Sequence, residues 1–120
     1  MEKIRKANGI SMKKEINEFG TISYYNNKNE YHREDGPAIE YADGEKRWCK
    51  NGVFHREDGP AIEYPSGYKA WYKNGVRHRE DGPAIEWVDG GRRYCYNGVE
   101  YLKIKTDEDW VRFIKLMIFQ

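Results

Sequence analysis

The chain has 120 residues, a net charge of +1, 34% charged residues and 15% aromatic residues. This length fits one domain, residues 1–120, and the balanced charge argues against a general polyanion binder, which is usually basic over the whole domain. The mean hydropathy of −1.03 is low, but disordered chains combine low hydropathy with high net charge and few aromatic residues. We therefore expect a folded chain with a core of aromatic rings rather than a thick aliphatic layer.

Residues 1–31 contain weaker versions of motifs that recur later in the chain. Asn8-Gly9-Ile10 resembles later Asn-Gly-Val segments, and Gly20 precedes a pair of tyrosines as later glycines precede aromatic residues. Terminal units of a repeat array are usually atypical, so we predict an N-terminal cap made of strands. We predict no signal peptide, because no apolar segment follows the basic start, and no transmembrane segment, since no stretch approaches the roughly 20 apolar residues of a span. The expected location is the cytoplasm.

Residues 32–100 consist of three copies of one unit. The phrase His-Arg-Glu-Asp-Gly-Pro-Ala-Ile-Glu begins at His32, His55 and His78, a period of about 23 residues within the range of repeat architectures. Each copy has two turn signals, an Asp-Gly or Ser-Gly pair and an Asn-Gly pair, separated by β-prone segments. The pattern predicts an all-β fold, a single-layer antiparallel meander of stacked β-hairpin repeats over 32–54, 55–77 and 78–100.

The turns also predict the register of the strands. A two-residue loop at residues 43–44 would pair Glu40 with Arg47, and the third copy would pair Glu86 with Arg93 in the same way.

A second two-residue loop at residues 51–52 would pair Cys49 with Phe54. Side chains alternate between the faces of a strand, so each face collects its own set of residues. One face is expected to hold Ile39, Tyr41, Trp48, Val53 and His55, together with their copies. The other face is expected to hold Ala38, Glu40, Arg47, Cys49 and Phe54.

Residues 101–120 leave the repeat pattern and predict a helix over about 107–118. Thr106 suits the N-cap position, and three acidic residues follow it at the end of the helix where negative charge is favourable. Apolar residues recur at helical spacing at Trp110, Phe113, Ile114, Met117 and Ile118. Such a helix either caps the last strand edge and part of the aromatic face, or docks a partner or pairs two copies of the chain.

The two cysteines occupy the same column of the repeat, two units apart. With two strands per unit, Cys49 and Cys95 are expected on the order of 19 Å apart, whereas a disulfide needs Cα atoms within ~7 Å. The sequence therefore predicts two free thiols, which is typical of cytosolic proteins.

The unit resembles the MORN repeat, which is also about 23 residues long. The shared residues are an aromatic residue, an Asn-Gly step and a histidine, as in Trp48, Asn51-Gly52 and His55, followed by Gly59 and Gly67. MORN units have glycine directly after the histidine, whereas this chain has Arg-Glu-Asp before the glycine, as in MORN-variant repeats of bacterial and phage proteins. The resemblance covers residues 32–100 and more loosely 8–31. It implies a sheet of stacked hairpins used for binding, and some members of that group are labelled antitoxins.

The His-Arg-Glu-Asp segment has three interpretations. A kinase-like catalytic loop is disfavoured, because the chain has three copies of the segment and lacks the accompanying kinase motifs. A metal site has suitable side chains, but neighbouring residues of a strand point to opposite faces. We therefore expect a structural role, in which carboxylates bind turn amides while arginine and histidine form ladders between repeats. No catalytic residue, metal site or cofactor is predicted, and we expect a protein that is not an enzyme.

Two sets of residues are candidates for binding. The aromatic side chains form the first set, and the second comprises columns that differ between copies, namely Phe54, Arg77 and Glu100; Glu45, Tyr68 and Gly91; and Arg47, Ala70 and Arg93. The combined candidate residues are Tyr41, Trp48, Phe54, Tyr64, Tyr68, Trp71, Arg77, Trp87 and Tyr94. We expect a module that binds another protein and blocks it. One alternative is a module that binds lipid or nucleic acid through aromatic and basic side chains, although the many acidic residues disfavour nucleic acid. The other alternative is a purely structural repeat.

Overall fold

The computed structural model describes residues 2–7 and 10–118, with side chains from residue 12 onward. The predicted all-β fold with one C-terminal helix is confirmed in these ranges. The predicted turn at Asn8-Gly9 lies outside them. The strands are β1 (Glu2–Ala7), β2 (Ile10–Ile16), β3 (Ile22–Tyr25), β4 (Ile39–Glu40), β5 (Lys46–Arg47), β6 (Cys49–Lys50), β7 (Val53–Phe54), β8 (Ile62–Glu63), β9 (Lys69–Ala70), β10 (Tyr72–Lys73), β11 (Val76–Arg77), β12 (Ile85–Glu86), β13 (Arg92–Arg93), β14 (Cys95–Tyr96) and β15 (Val99–Glu100), and the helix is α1 (Asp107–Ile118).

The strands form one long antiparallel sheet and three short hairpins beside it. The long sheet has nine strands in the order β1-β2-β3-β4-β5-β8-β9-β12-β13. The hairpins are β6–β7, β10–β11 and β14–β15. The chain leaves the long sheet at Trp48, whose N–H donates to the Ala61 carbonyl at 2.7 Å while its own carbonyl accepts the His55 N–H at 3.1 Å. Each unit therefore gives two strands to the long sheet and a hairpin to its side.

The Asn-Gly turns are the two-residue loops that the sequence predicts. Asn51 and Gly52 have φ of 50° and 86°, and the flanking pairs are Cys49 with Phe54 and Lys50 with Val53. A type I′ turn needs positive φ at both central residues, which asparagine and glycine tolerate best. The other two Asn-Gly turns, at residues 74–75 and 97–98, also have positive φ at both central residues.

The predicted register at residues 43–44 is wrong by one residue. Tyr41 N–H donates to the Glu45 carbonyl at 2.9 Å, so the loop has three residues and ends at Gly44, whose φ is 98°. Arg47 consequently pairs with Ile39 and not with Glu40. A three-residue hairpin loop also places glycine in the left-handed region, so the same dipeptide fits both loop lengths.

Two expected ion pairs fail to form because of this register. Glu40 lies 3.6 Å from Arg33, and Arg47 is paired with Glu45 instead. In the third copy, Glu86 contacts Arg79 and Arg92, while Arg93 binds Glu100 at 2.6 Å.

The core is a row of small apolar clusters along the long sheet. Ala38, Ile39 and Cys49 form the first, and Tyr41 and Phe54 pack against it. The predicted faces are therefore mixed, because Ile39 lies with Cys49 and Phe54 rather than with Trp48. Ile62, Ala70 and Ile85 form the second cluster, and Tyr94, Trp110 and Ile114 form the third.

Helix α1 covers the last unit. The Thr106 hydroxyl accepts the Asp109 N–H at 3.1 Å, which confirms the predicted N-cap. Trp110 is 0% exposed, packs against Tyr94 and Tyr101, and donates its indole N–H to the Arg79 carbonyl at 2.8 Å. The helix therefore covers an aromatic ring of the last unit, but contrary to the expected cap it does not pack along the edge of β13, the last strand of the long sheet. Across the described ranges, no helix is long and apolar enough to span a membrane.

Candidate binding surface

One side of the long sheet carries a strip of aromatic rings, which we call the aromatic face. Phe54 lies against Tyr72 with ring centroids 5.2 Å apart, and both rings pack on the cluster of Ile62, Ala70 and Ile85. Tyr68 packs on the same cluster and lies 5.1 Å from Tyr64 and 6.0 Å from Trp87. The rings of the aromatic face are Tyr25, Tyr31, Tyr41, Phe54, Tyr64, Tyr68, Tyr72 and Trp87.

The strip continues toward the N-terminal strands through an arginine. The Arg47 guanidinium lies 5.4 Å from the Tyr41 ring centroid and 5.9 Å from that of Phe54. Tyr41 shares a hollow of about 230 Å³ with Tyr25 and Tyr31, which stack on each other at 5.1 Å. The face is therefore continuous from β3 to the loop before β13.

Two of the three arginines on the aromatic face are neutralised by the chain itself. Arg47 is paired with Glu45, and Arg93, which lies 5.7 Å from the Trp87 ring, is paired with Glu100. Arg77 has no carboxylate partner within the described residues and reaches the Tyr72 hydroxyl at 3.5 Å. Burial, followed by the nearby Tyr72 phenol, raises the pKa of Tyr68. The face is aromatic and nearly neutral.

The columns that differ between copies lie on this face. Phe54 and Arg77 contact the Tyr72 ring or its hydroxyl, while Tyr68 lies among the rings. Gly91 is next to the Trp87 ring, which a Cβ there would meet at 3.2 Å. Ala70 is the exception, since it is fully buried. Apart from Ala70, the residues of these three columns are thus gathered on one surface.

The first five residues of the repeated phrase, His-Arg-Glu-Asp-Gly, form a different surface. We call the three segments 32–36, 55–59 and 78–82 the loop side. The Arg56 guanidinium lies 3.7 Å from the Trp48 ring centroid, and it also binds the Asp58 carboxylate at 3.1 Å and the Pro60 carbonyl at 3.0 Å. Arg79 covers Trp71 at 3.9 Å in the same way. The loop side is therefore tied together by its own arginines.

Each histidine of the loop side bonds to the Asn-Gly turn of its own unit. The Asn51 N–H donates to His32 Nδ1 at 2.9 Å, and the same bond joins Asn74 to His55 and Asn97 to His78. Nδ1 must be unprotonated to accept this bond, so Nε2 carries the proton and faces a glutamate, which for His32 is Glu34 at 2.8 Å. Arginine contacts between units are present as expected, since Arg56 and Arg79 cover Trp48 and Trp71 of the preceding units. The histidine bonds, by contrast, lie within single units rather than between them. The carboxylates, however, bind arginine and histidine side chains rather than turn amides.

Two grooves separate the three loops. Their volumes are about 580 and 630 Å³, and Trp48 and Trp71 line them respectively. The charges in the grooves pair with one another: Glu57, for example, binds His55 and lies 3.5 Å from Lys73. The hydrogen bond from His55, with the charge of Lys73, lowers the pKa of Glu57. The grooves are polar and internally neutralised.

The structure separates the predicted binding residues into three groups. Tyr41, Phe54, Tyr64, Tyr68, Arg77 and Trp87 lie on the aromatic face. Trp48 and Trp71 lie in the grooves beneath arginines, as a consequence of the register change. Tyr94 is buried under Trp110, and its hydroxyl donates to Asp107 at 2.7 Å. Burial and this bond raise the pKa of Tyr94 to about 12.

Sequence reasoning missed Tyr72, Tyr25 and Tyr31 on the aromatic face. Tyr72 occupies the column that holds cysteine in the other two copies, so it looked like an exception. The signal was nevertheless available, because the Asn74-Gly75 turn pairs Tyr72 with Arg77. Tyr25 and Tyr31 flank a turn in the degenerate first unit and pair across it. Tyr31 directly precedes His32 as Phe54 precedes His55, and this place in the variable column was the available signal.

Cys49 and Cys95 are free and buried, and burial raises the pKa of the Cys49 thiol to about 11, so it is protonated and weakly nucleophilic at neutral pH. Within the described residues, no three His, Cys, Asp or Glu side chains are grouped as a metal site requires. No protein-family model, curated protein or solved structure matches the chain.

Proposed function

We propose that this protein binds another protein through the aromatic face and blocks its activity, without chemistry of its own. The observation that carries the proposal is the continuous strip of rings from Tyr25 to Trp87, of which Tyr31, Tyr64 and Trp87 are exposed. Tyrosine and tryptophan are enriched at the centres of protein interfaces, because they supply large contact areas with few rotatable bonds. The variable residues on the same face would let different copies recognise different parts of the partner.

The charge of the face favours a protein over a polyanion. Arg47 and Arg93 are already paired with Glu45 and Glu100, so among the described arginines of the aromatic face only Arg77 offers a cation without a carboxylate partner. Binding to nucleic acid or anionic lipid takes much of its strength from several unpaired cations that meet phosphates. Those two classes are therefore weaker alternatives.

The repeat pattern supports the same function. Residues 32–100 resemble MORN-variant repeats, and this resemblance implies a scaffold used for binding. We infer a role of the antitoxin, immunity or phage counter-defence type, carried out in the cytoplasm. Repeat scaffolds serve many partners, so the partner has to be found by experiment.

The test is affinity capture from the native host with three versions of the chain. The first is the wild type, and the second is a double variant, Tyr64→Ala with Trp87→Ala, which removes two exposed rings. The third is Lys73→Ala in a groove on the loop side, a control that leaves the aromatic face intact. We expect one protein to be retained by the wild type and the control and lost with the double variant.

Purified partner then separates the classes of function. We expect stoichiometric binding that depends weakly on salt and a loss of the partner's activity in the complex. Binding that weakens steeply with salt would point to phosphate contacts instead. Capture that is lost with Lys73→Ala but kept with the double variant would place the interface on the loop side and contradict the proposal.

A further inference from the structure

The last strand of the long sheet has an open edge. β13 is the final strand in the sheet order, whereas the corresponding edges of the two earlier units are occupied. β8 pairs with β5, and β12 pairs with β9, both antiparallel. After β13 the chain forms α1 instead of the next strand.

The inner units show what such an edge accepts. Trp48 N–H donates to the Ala61 carbonyl at 2.7 Å, and Trp71 N–H donates to the Ala84 carbonyl at 2.7 Å. Tyr94 occupies the same place in the last unit and is 3% exposed, but its N–H has no hydrogen-bond acceptor among the described residues. An unpaired backbone N–H at a sheet edge is a template for pairing with another chain, and it marks the position that a further strand would fill.

The space beside this edge is free. A groove of about 360 Å³ runs along it, lined among others by Arg92, Arg93, Leu102 and Lys105. Leu102 is 68% exposed. α1 packs on the ring of Tyr94 through Trp110 and leaves the groove open.

The turns at the same end are uncovered too. A Cβ on Gly44 would meet Pro65, and one on Gly67 would meet Val88, because each turn is covered by the next unit. Gly90 has nothing within 4 Å. The exposed end of the array therefore extends from the edge strand to its turn.

We propose that the β13 edge binds an extended segment of another protein that adds one antiparallel strand to the sheet. The inner pairs define its chemistry: an acidic residue opposite Arg92, as Glu63 lies opposite Lys46, and an apolar residue opposite Arg93, as Ile62 lies opposite Arg47. A small residue precedes these two, and its carbonyl accepts the Tyr94 N–H. Main-chain hydrogen bonds of this kind give affinity, and alternate side chains give specificity.

A second copy of this chain is a poor occupant. The other edge of the long sheet is β1, whose sequence includes Lys3, Arg5 and Lys6. Like charges directly opposite each other on paired strands are destabilising, so β1 of another copy would be repelled by the arginines of β13. The partner segment is therefore acidic and comes from a different protein.

The test uses the full chain and a synthetic peptide, Asp-Gly-Pro-Ala-Ile-Glu-Tyr, which is the sequence of residues 58–64. In the free protein we expect the Tyr94 amide to exchange its hydrogen faster than the Trp71 amide, because only the latter is bonded. On saturation with the peptide we expect Tyr94 exchange to slow by about tenfold or more. A peptide with Lys in place of Glu is expected to bind about fivefold more weakly.

Charge exchange distinguishes this site from others. Arg92→Glu should weaken binding of the acidic peptide and restore binding of the Lys peptide. Arg112→Glu on the exposed side of α1 should change the affinity for neither peptide. Arg93 belongs to the edge and also lies against Trp87, so the control on the aromatic face is Tyr64→Ala, whose ring packs on Tyr68. This variant should leave peptide binding intact even if that face proves inactive. Unchanged Tyr94 exchange at saturating peptide, equal binding of both peptides, or dimers of the free chain that protect the Tyr94 amide would each overturn the proposal.

Discussion

The loop side and the aromatic face belong to the same units but satisfy their side chains in different ways. On the loop side Arg56 is engaged by Trp48, Asp58 and the Pro60 carbonyl, and His55 is engaged by Asn74. On the aromatic face, rings such as Tyr64 and Trp87 touch their neighbours and remain exposed. A side chain whose hydrogen-bond and ionic partners all lie within the chain is less available to another molecule. The loop side therefore holds the units together, and the exposed rings make the aromatic face the surface that we propose for binding.

The pattern of identity along the sequence has the same explanation. His55 must accept the N–H of Asn74, a residue of its own unit, while Asn51 of the unit before donates to His32 in the same geometry. A change at one such position would break a bond that recurs in every unit. The aromatic face has no bond of this kind at Phe54 or Arg77, and these positions differ between copies. Four predictions test this division, from the largest expected effect to the smallest.

Trp110→Ala should have the largest effect, because it removes the ring that closes the loop side at the end of the array. Trp110 is fully buried and bonded to the Arg79 carbonyl, and removing a buried tryptophan costs about 3–5 kcal/mol in the free energy of unfolding. Urea denaturation, monitored by circular dichroism, measures this loss in the free energy of unfolding. The matched control is Leu116→Ala, a residue 68% exposed on the same helix, which should stay within ~0.5 kcal/mol of wild type. Equal losses from the two variants would mean that α1 does not cover the last unit.

The alkaline stability of the same end should depend on Tyr94. Its folded pKa is raised to about 12 by burial and by the bond to Asp107, whereas an unfolded tyrosine ionises near ~10. A raised pKa stabilises the protonated form, so this contribution is complete below pH ~10 and is lost as the pH rises toward 12. The urea midpoint measured across this range should fall more steeply for wild type than for Tyr94→Phe. Parallel profiles would show that the Tyr94 hydroxyl does not contribute.

Arg56→Ala should have an intermediate effect on the loop side. It removes the cation over Trp48 and the bonds to Asp58 and the Pro60 carbonyl, a loss of about 1–2 kcal/mol. Arg56→Lys should recover little of it, because an ammonium group cannot both stack on the ring and bind two acceptors in one plane. The comparison is Arg77→Ala, an arginine of the aromatic face. If that variant is destabilised as much as Arg56→Ala, the division between scaffold and binding surface is wrong.

Tyr64→Ala and Arg77→Ala should have the smallest effect on stability and the largest on binding. Both residues are exposed, so each change is expected to lie within about 0.5 kcal/mol of wild type. Tyr68 is less suitable, since it packs on the core cluster around Ile62. Melting curves measure the stability of each variant, and a titration with the captured partner measures its affinity. Normal affinity in both variants would move the interface away from the aromatic face.

The parts of the fold that depend on neighbouring residues were predicted from the sequence. The Asn51-Gly52 turn needs only the conformational tolerance of its two residues, and α1 follows from its cap and its apolar spacing. The loop ending at Gly44 was misread, because an Asp-Gly pair fits loops of two and of three residues. A shift of one residue moves side chains to the opposite face of a strand, which is why Trp48 and Trp71 were expected among the binding residues and lie under arginines instead.

The parts of the site that depend on distant segments could not be predicted. Tyr94 resembles Trp48 and Trp71 by its place in the unit, and its burial comes from Trp110, which is brought over it by the placement of α1. Arg56 likewise stacks on Trp48, and the spacing of these two residues along the sequence does not indicate that they are in contact. Tyr64 and Trp87 were found because they are aromatic residues at the same place in successive units, and Tyr68 because its column differs between the copies.

The contact of each Asn-Gly turn with the unit before it sets a rule for the length of the molecule. A Cβ on Gly75 would meet Val53 at 3.3 Å, and one on Gly98 would meet Val76 at 3.4 Å, so each turn rests on the valine of the preceding turn. An inserted unit would meet the same surface on both sides. Nearest-neighbour contacts of this kind therefore allow the number of units in the array to change. Duplicating residues 55–77 in the gene should therefore yield a longer protein with the same two ends and an aromatic face extended by roughly 10 Å, the width of two strands.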